Sequence, residues 1–163
     1  MQISKFEHPD APDEKASENV RRQVCQDGAT IPRILDLARS CASETVIKHA
    51  LRRLDERIVG TKNCLFKAIA GMCGAPAFVA SCMSRFPTSR DITYEALRCI
   101  IDLCQRSVAP QNARDFQDVG VFDLIVNMLQ PKSPWQADFN ILGYAIGALR
   151  ALCLLYTSPS PRD

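Results

Sequence analysis

Eight cysteines, two histidines and a recurring arginine are the side chains of this 163-residue chain whose chemistry could serve a site. A structural zinc site needs ligands in pairs two to four residues apart, with a matching second pair. No C-x-x-C occurs, Cys99 and Cys104 are five apart, and neither His8 nor His49 lies beside a cysteine. Several of Cys25, Cys41, Cys64, Cys73, Cys82, Cys99 and Cys104 instead fall on apolar stripes, where cysteine packs as a small hydrophobe. A nucleophilic cysteine needs a base and a group to orient it. Only two histidines are available for that, and His8 sits in a polar N-terminal stretch.

Other catalytic and cofactor signatures are missing. The chain has no G-x-G-x-x-G, no P-loop and no H-E-x-x-H, and its carboxylates are scattered along helices rather than gathered at a cleft. Asp55 and Glu56, set among Arg52, Arg53 and Arg57, read as a solvated helix face with ion pairs at three- and four-residue spacing. The expectation is a protein that is not an enzyme and that takes no cofactor and no metal. Twenty Lys and Arg against eighteen Asp and Glu leave a net charge of +2, too balanced for a protein that grips a polyanion, so nucleic acid is a minor hypothesis. No apolar run approaches the roughly 20 residues that span a bilayer. Met1 is followed by charged and proline-bearing residues rather than the apolar core of a secretory signal, which points the cysteines to a reducing compartment, cytoplasmic or nuclear.

The elements that must position any site are helices. Residues 1–14 are polar, carry Pro9 and Pro12 and lack periodicity, and read as a disordered leader. Beyond them apolar residues recur at three and four: Ile31, Ile34, Leu35 and Ala38; Ile47, Ala50, Leu51, Leu54 and Ile58; Leu65, Ala68, Ile69 and Met72. The series goes on through Phe78, Val79 and Cys82, then Ile92, Ala96, Leu97 and Ile100, then Phe116 and Val119, Leu124 and Ile125, and finally Leu142, Ala145, Ile146, Leu149 and Leu152. No stretch alternates as a strand does. Glycine and proline fall between the runs, except Gly143 and Gly147, which lie inside a predicted helix. With 47% apolar residues, the chain can bury a sizeable core.

The helices repeat. Gly28, Gly74 and Gly120 are 46 residues apart, and so are Ala50-Leu51-Arg52 and Ala96-Leu97-Arg98; a third copy, Ala148-Leu149-Arg150, comes after 52, which fits an insertion around Pro131 to Trp135. Each unit reads as a helix ending at glycine, a second helix of about nine residues, a loop and a longer third helix. A period in the forties with that order is the signature of an α-solenoid, in which each unit must stack on the next to bury its apolar face. The run QDVGVFDLIVNMLQ followed by ADFNILGYAIGALRALC resembles an armadillo repeat; HEAT repeats share its length and core spacing. Residues 26–54 resemble a second copy, and 74–104 a more diverged one.

The resemblance implies an all-α, right-handed solenoid of about three armadillo-like repeats, at about 15–58, 61–106 and 110–152, the last incomplete. It also implies a protein-interaction scaffold or adaptor. A helical regulatory or docking region of a larger enzyme or transport factor, and a nucleic-acid-binding solenoid, are the alternatives. In armadillo proteins that hold extended peptides, the third helices carry tryptophan two residues before the core leucine and asparagine two after it. Here those positions hold His49 and Arg53, Glu95 and Cys99, and Gly147 and Ala151. That ladder is absent. What the units share is Arg52, Arg98 and Arg150, and arginine's planar fork suits carboxylates and phosphates, so the expected partner is a protein with an acidic or phosphorylated segment. Arg52, Arg98, Arg150, His49, Arg53 and Glu95 are the candidate partner-binding residues. Cys153 to Asp163, CLLYTSPSPRD, is similar to a translated transposase-type sequencing adapter; the expectation is that 153–163 is an artefact and that the natural chain continues past Leu152.

Overall fold

Glycine in the left-handed region makes two of the helix-to-helix joints. Gly74 (φ 77°) and Gly120 (φ 76°) each sit where a short helix ends and the next begins, a conformation that costs a side-chain-bearing residue energy. The computed structural model describes residues 14–26, 28–59, 65–105 and 110–153. Among these it is all-α, without strands. The helices are α1 (Glu14–Val24), α2 (Ile31–Arg39), α3 (Glu44–Val59), α4 (Leu65–Met72), α5 (Ala75–Arg85), α6 (Arg90–Cys104), α7 (Pro110–Asp118), α8 (Val121–Met128) and α9 (Phe139–Cys153). The expected leader (apart from the start of α1), Cys64 and the adapter-like segment after Cys153 lie outside the described residues.

Local chemistry explains where several helices start. Pro32 and Pro76 occupy the first turns of α2 and α5, where the missing N–H has no intrahelical partner to lose. The Ser89 hydroxyl accepts from the Ile92 N–H at 3.3 Å and caps α6; Asp138 Oδ1 accepts from the Asn140 and Ile141 N–H groups at 3.1 Å and caps α9. The insertion expected near Trp135 is a series of turns, and Trp135, only 8% exposed, lines a cavity of about 260 Å³ with Met83, Leu124 and Met128.

A single apolar core runs from Val24 to Leu152. At its centre α6 packs on α3 along one side and on α9 along the other. Leu51, Leu54, Leu97, Ile100 and Leu103 are fully buried there, each worth about 1.5–3 kcal/mol of transfer free energy. Gly147 belongs to this packing: a Cβ there would stand 3.1 Å from Ile101 Cδ1, close enough that the tip of Ile101 would have to shift by a few tenths of an ångström. Gly71 similarly admits the buried Asn112, whose amide donates to the Lys67 and Leu103 carbonyls at 3.0 and 3.2 Å and ties α7 to α4 and α6. Four residues of the periodic apolar series, Leu65, Met72, Val119 and Ile146, are instead exposed. Ile146 is about 100° round α9 from Gly147, away from α6.

Candidate functional site

The charged face formed by α3, α6 and α9 gathers most of the polar side chains that the sequence singled out. Between α3 and α6 the charges pair in register. Lys48 meets Asp91; Arg52 donates through Nε and Nη2 to Glu95 Oε1 at 3.0 and 2.9 Å; Arg98 Nη2 donates to Asp55 Oδ2 at 2.6 Å. Positions 48, 52 and 55 on one helix face 91, 95 and 98 on the other, so every pair spans 43 residues, three fewer than the 46-residue spacing. Spacings of four and three keep each set on one helix face, which is why the three rungs align. Arg98 Nη1 also reaches Glu95 Oε2 at 3.4 Å, and the Cys99 thiol donates to the Leu51 carbonyl at 3.3 Å.

Asp55 and Glu95 therefore do not lie on a solvated surface. Their side chains are only 2% exposed, because α6 covers Asp55 and α3 covers Glu95. Buried carboxylates need such partners, since an uncompensated charge in low dielectric is strongly unfavourable. Glu56, in contrast, is exposed and pairs with Arg53 Nη1 at 2.9 Å, as a solvated helix face would have it. Burial first, then the neighbouring Asp102 carboxyl, pushes Asp55 up to about 7 against the pull of Arg98.

The other candidate residues lie elsewhere. His49 is half-buried toward α1, and burial, followed by the charges of Arg21, Arg52 and Lys48, holds its imidazole below the usual histidine range. Arg53 turns the same way, donating through Nη2 to the Cys25 carbonyl at 2.8 Å. Arg150 is exposed on α9 and makes no ion pair with a described residue. So Arg52, Arg98 and Glu95 form one cluster, His49 and Arg53 flank it, and Arg150 stands apart.

Toward α9 the chemistry changes. Tyr94 and Tyr144 meet edge to face with centroids 4.8 Å apart and hydroxyls 3.1 Å apart, and the Arg98 guanidinium lies 5.8 Å from the Tyr94 ring centre. Lys48, Asp55, Asp91, Asp102 and the two tyrosines were not singled out from the sequence as site residues. A signal for the rungs was there: opposite charges 43 residues apart, one helical turn short of the repeat. Cys82 and Cys104 are buried, which pushes both thiols up to about 12, and burial raises Cys99 as well. Among the described residues no three His, Cys, Asp or Glu side chains converge to hold a metal ion. No single described helix is long and apolar enough to cross a membrane. Compared with protein-family models, curated proteins and solved structures, the chain matches none.

Proposed function

We propose that this chain is a non-enzymatic protein-interaction scaffold, a right-handed solenoid of about three armadillo-like units whose third-helix face holds an acidic or phosphorylated segment of a partner protein. The carrying observation is that α3, α6 and α9 pack side by side in chain order with partly exposed guanidinium groups. Arg52 and Arg98 keep 48% and 34% of their side chains exposed while bonded to internal acids, and Arg150 on α9 is free of internal partners among the described residues. A guanidinium has five donors, so a fork that serves a buried acid on one edge can still offer the other to a ligand. The described cysteines are all free thiols, which supports a cytoplasmic or nuclear setting.

Arg150 is the position at which to test it, because replacing Arg52 or Arg98 also strands Glu95 or Asp55. Fluorescence anisotropy with labelled Glu-rich and phosphoserine peptides, and with single-stranded RNA of the same length, reads the preference directly. Binding of the acidic peptides should weaken about tenfold or more in Arg150→Glu, the equivalent of about 1.4 kcal/mol. Its stability should move by no more than about 0.5 kcal/mol. Tighter binding of RNA than of either peptide, or peptide affinities indifferent to Arg150→Glu, overturns the proposal.

A further inference from the structure

Ion pairing leaves one carboxyl oxygen of the α3/α6 face without a donor. Asp55 is 1% exposed; its Oδ2 takes Arg98, but its Oδ1 is buried and receives no N–H or hydroxyl donor. The carboxyl of Asp102, one turn beyond Arg98 on α6 and itself half-buried, also pairs with the Asp55 carboxyl. Ionised carboxylates only accept hydrogen bonds, so a direct hydrogen bond between two of them needs an acid proton. The local charge balance points the same way. Asp55, Glu95 and Asp102 are three acids against the two guanidinium groups of Arg52 and Arg98, and one proton makes the cluster neutral.

We propose that Asp55 and Asp102 share a single proton, and that this proton is a working part of the α3/α6 interface. With it in place, an O–H···O⁻ bond joins the helices and Arg98 balances the remaining charge. Once it leaves to solvent, two carboxylates confront each other beside that one arginine, and the interface loosens.

The charges acting most strongly on Asp55 come from α6: Asp102, Arg98 and Glu95. The other helices packed on α3 direct theirs elsewhere. On α1, Glu18 and Arg21 act on His49; on α2, Arg39 donates to the Cys73 carbonyl; on α4, Lys67 reaches the Gln105 carbonyl. Beyond α6, Tyr144 of α9 feels Asp102 while bonding Tyr94. Burial and the second carboxyl raise Asp55 to about 7 in the folded chain, above the ordinary aspartate value of 3.8. A group raised by folding binds its proton more tightly in the native state. Its contribution to stability is therefore complete below the ordinary carboxyl range and is lost as pH rises through about 7. Because the two carboxyls interact, the transition belongs to the pair.

The test is a pH titration of the whole chain labelled with ¹³C at the aspartate carboxyl carbons, which also separates this step from the His49 imidazole. A step within about a unit of neutrality at the Asp55 carbon, felt at the neighbouring Asp102 carbon, is the expected result. In Asp102→Asn the amide can donate to Asp55 Oδ1, so Asp55 stays ionised beside Arg98. The neutral step should then vanish, and the fall in Tm expected of the wild type between about pH 5.5 and pH 8.5 should flatten. A wild-type Asp55 carboxyl that titrates in the ordinary acid range overturns the proposal, and so does a neutral step that survives unchanged in Asp102→Asn. Should that variant fail to fold, the wild-type titration decides alone.

Discussion

Toward α3, helix α6 presents Asp91, Glu95 and Arg98, each set against an opposite charge; toward α9 it presents Arg90, Tyr94 and Ile101, which meet Asp138, Tyr144 and Gly147. Both contacts join long helices along an apolar seam, yet their polar parts differ. The first specifies alignment by charge: sliding α6 by one turn would set Asp91 against Arg52 but Glu95 against Asp55, two acids in a buried seam. Apart from the solvated Arg90–Asp138 pair at its start, the second specifies alignment by shape, with an edge-to-face tyrosine pair and a glycine beside the tip of Ile101. Charge alignment is sensitive to protons and salt, whereas shape alignment is not, so the two sides of one helix should respond differently to the same perturbation.

The largest expected effect tests the seam the two contacts have in common. Leu51 and Leu97 are fully buried, while Leu149, at the corresponding place on α9, is half-buried. Leu51→Ala or Leu97→Ala should each lower stability in urea by about 2–5 kcal/mol, and Leu149→Ala by about 1–2 kcal/mol. Equal losses at all three would mean that α9 is covered in solution as fully as α3 and α6.

The polar contacts come next. Arg98→Ala removes the partner of the buried Asp55 and should cost about 1–3 kcal/mol by the same measurement, softened because Asp55 can take up a proton. Arg90→Ala breaks a solvated pair, with Arg90 about half exposed and Asp138 2.6 Å away, and should cost clearly less than Arg98→Ala. Indistinguishable values would erase the distinction between a buried rung and a surface pair. Tyr144→Phe deletes one hydroxyl–hydroxyl bond at 3.1 Å and keeps the ring contact. It should cost about 0.5–1 kcal/mol and leave the pH dependence of Tm intact, because the tyrosine pair takes no part in the shared proton.

Much of this architecture can be read residue by residue. Helices α2, α3 and α6 follow the three-and-four spacing of their apolar residues, and Gly74 and Gly120 mark joints where only a left-handed residue fits. Gly147 looked like a weakness in a helix when only its neighbours in sequence were considered; in the fold it lies against the tip of Ile101, 46 residues earlier. Asp55 looked like surface for a comparable reason. The run Arg52-Arg53-Leu54-Asp55-Glu56-Arg57 is the same string whether water or a second helix covers it, and α6 covers only Asp55 of its two acids.

The sequence by itself determined the helices, their order and the arginine after each core leucine, because helical period, caps and joints depend on residues within a turn or two of each other. The tertiary structure alone decided what those arginines meet. Whether Arg98 faces solvent or the buried Asp55 depends on how two helices 43 residues apart are rotated and aligned, and packing of the shared apolar seam sets that alignment. Burial then changes the chemistry: a carboxyl that would be an ordinary surface acid becomes, between α3 and α6, a group poised to lose its proton near neutrality.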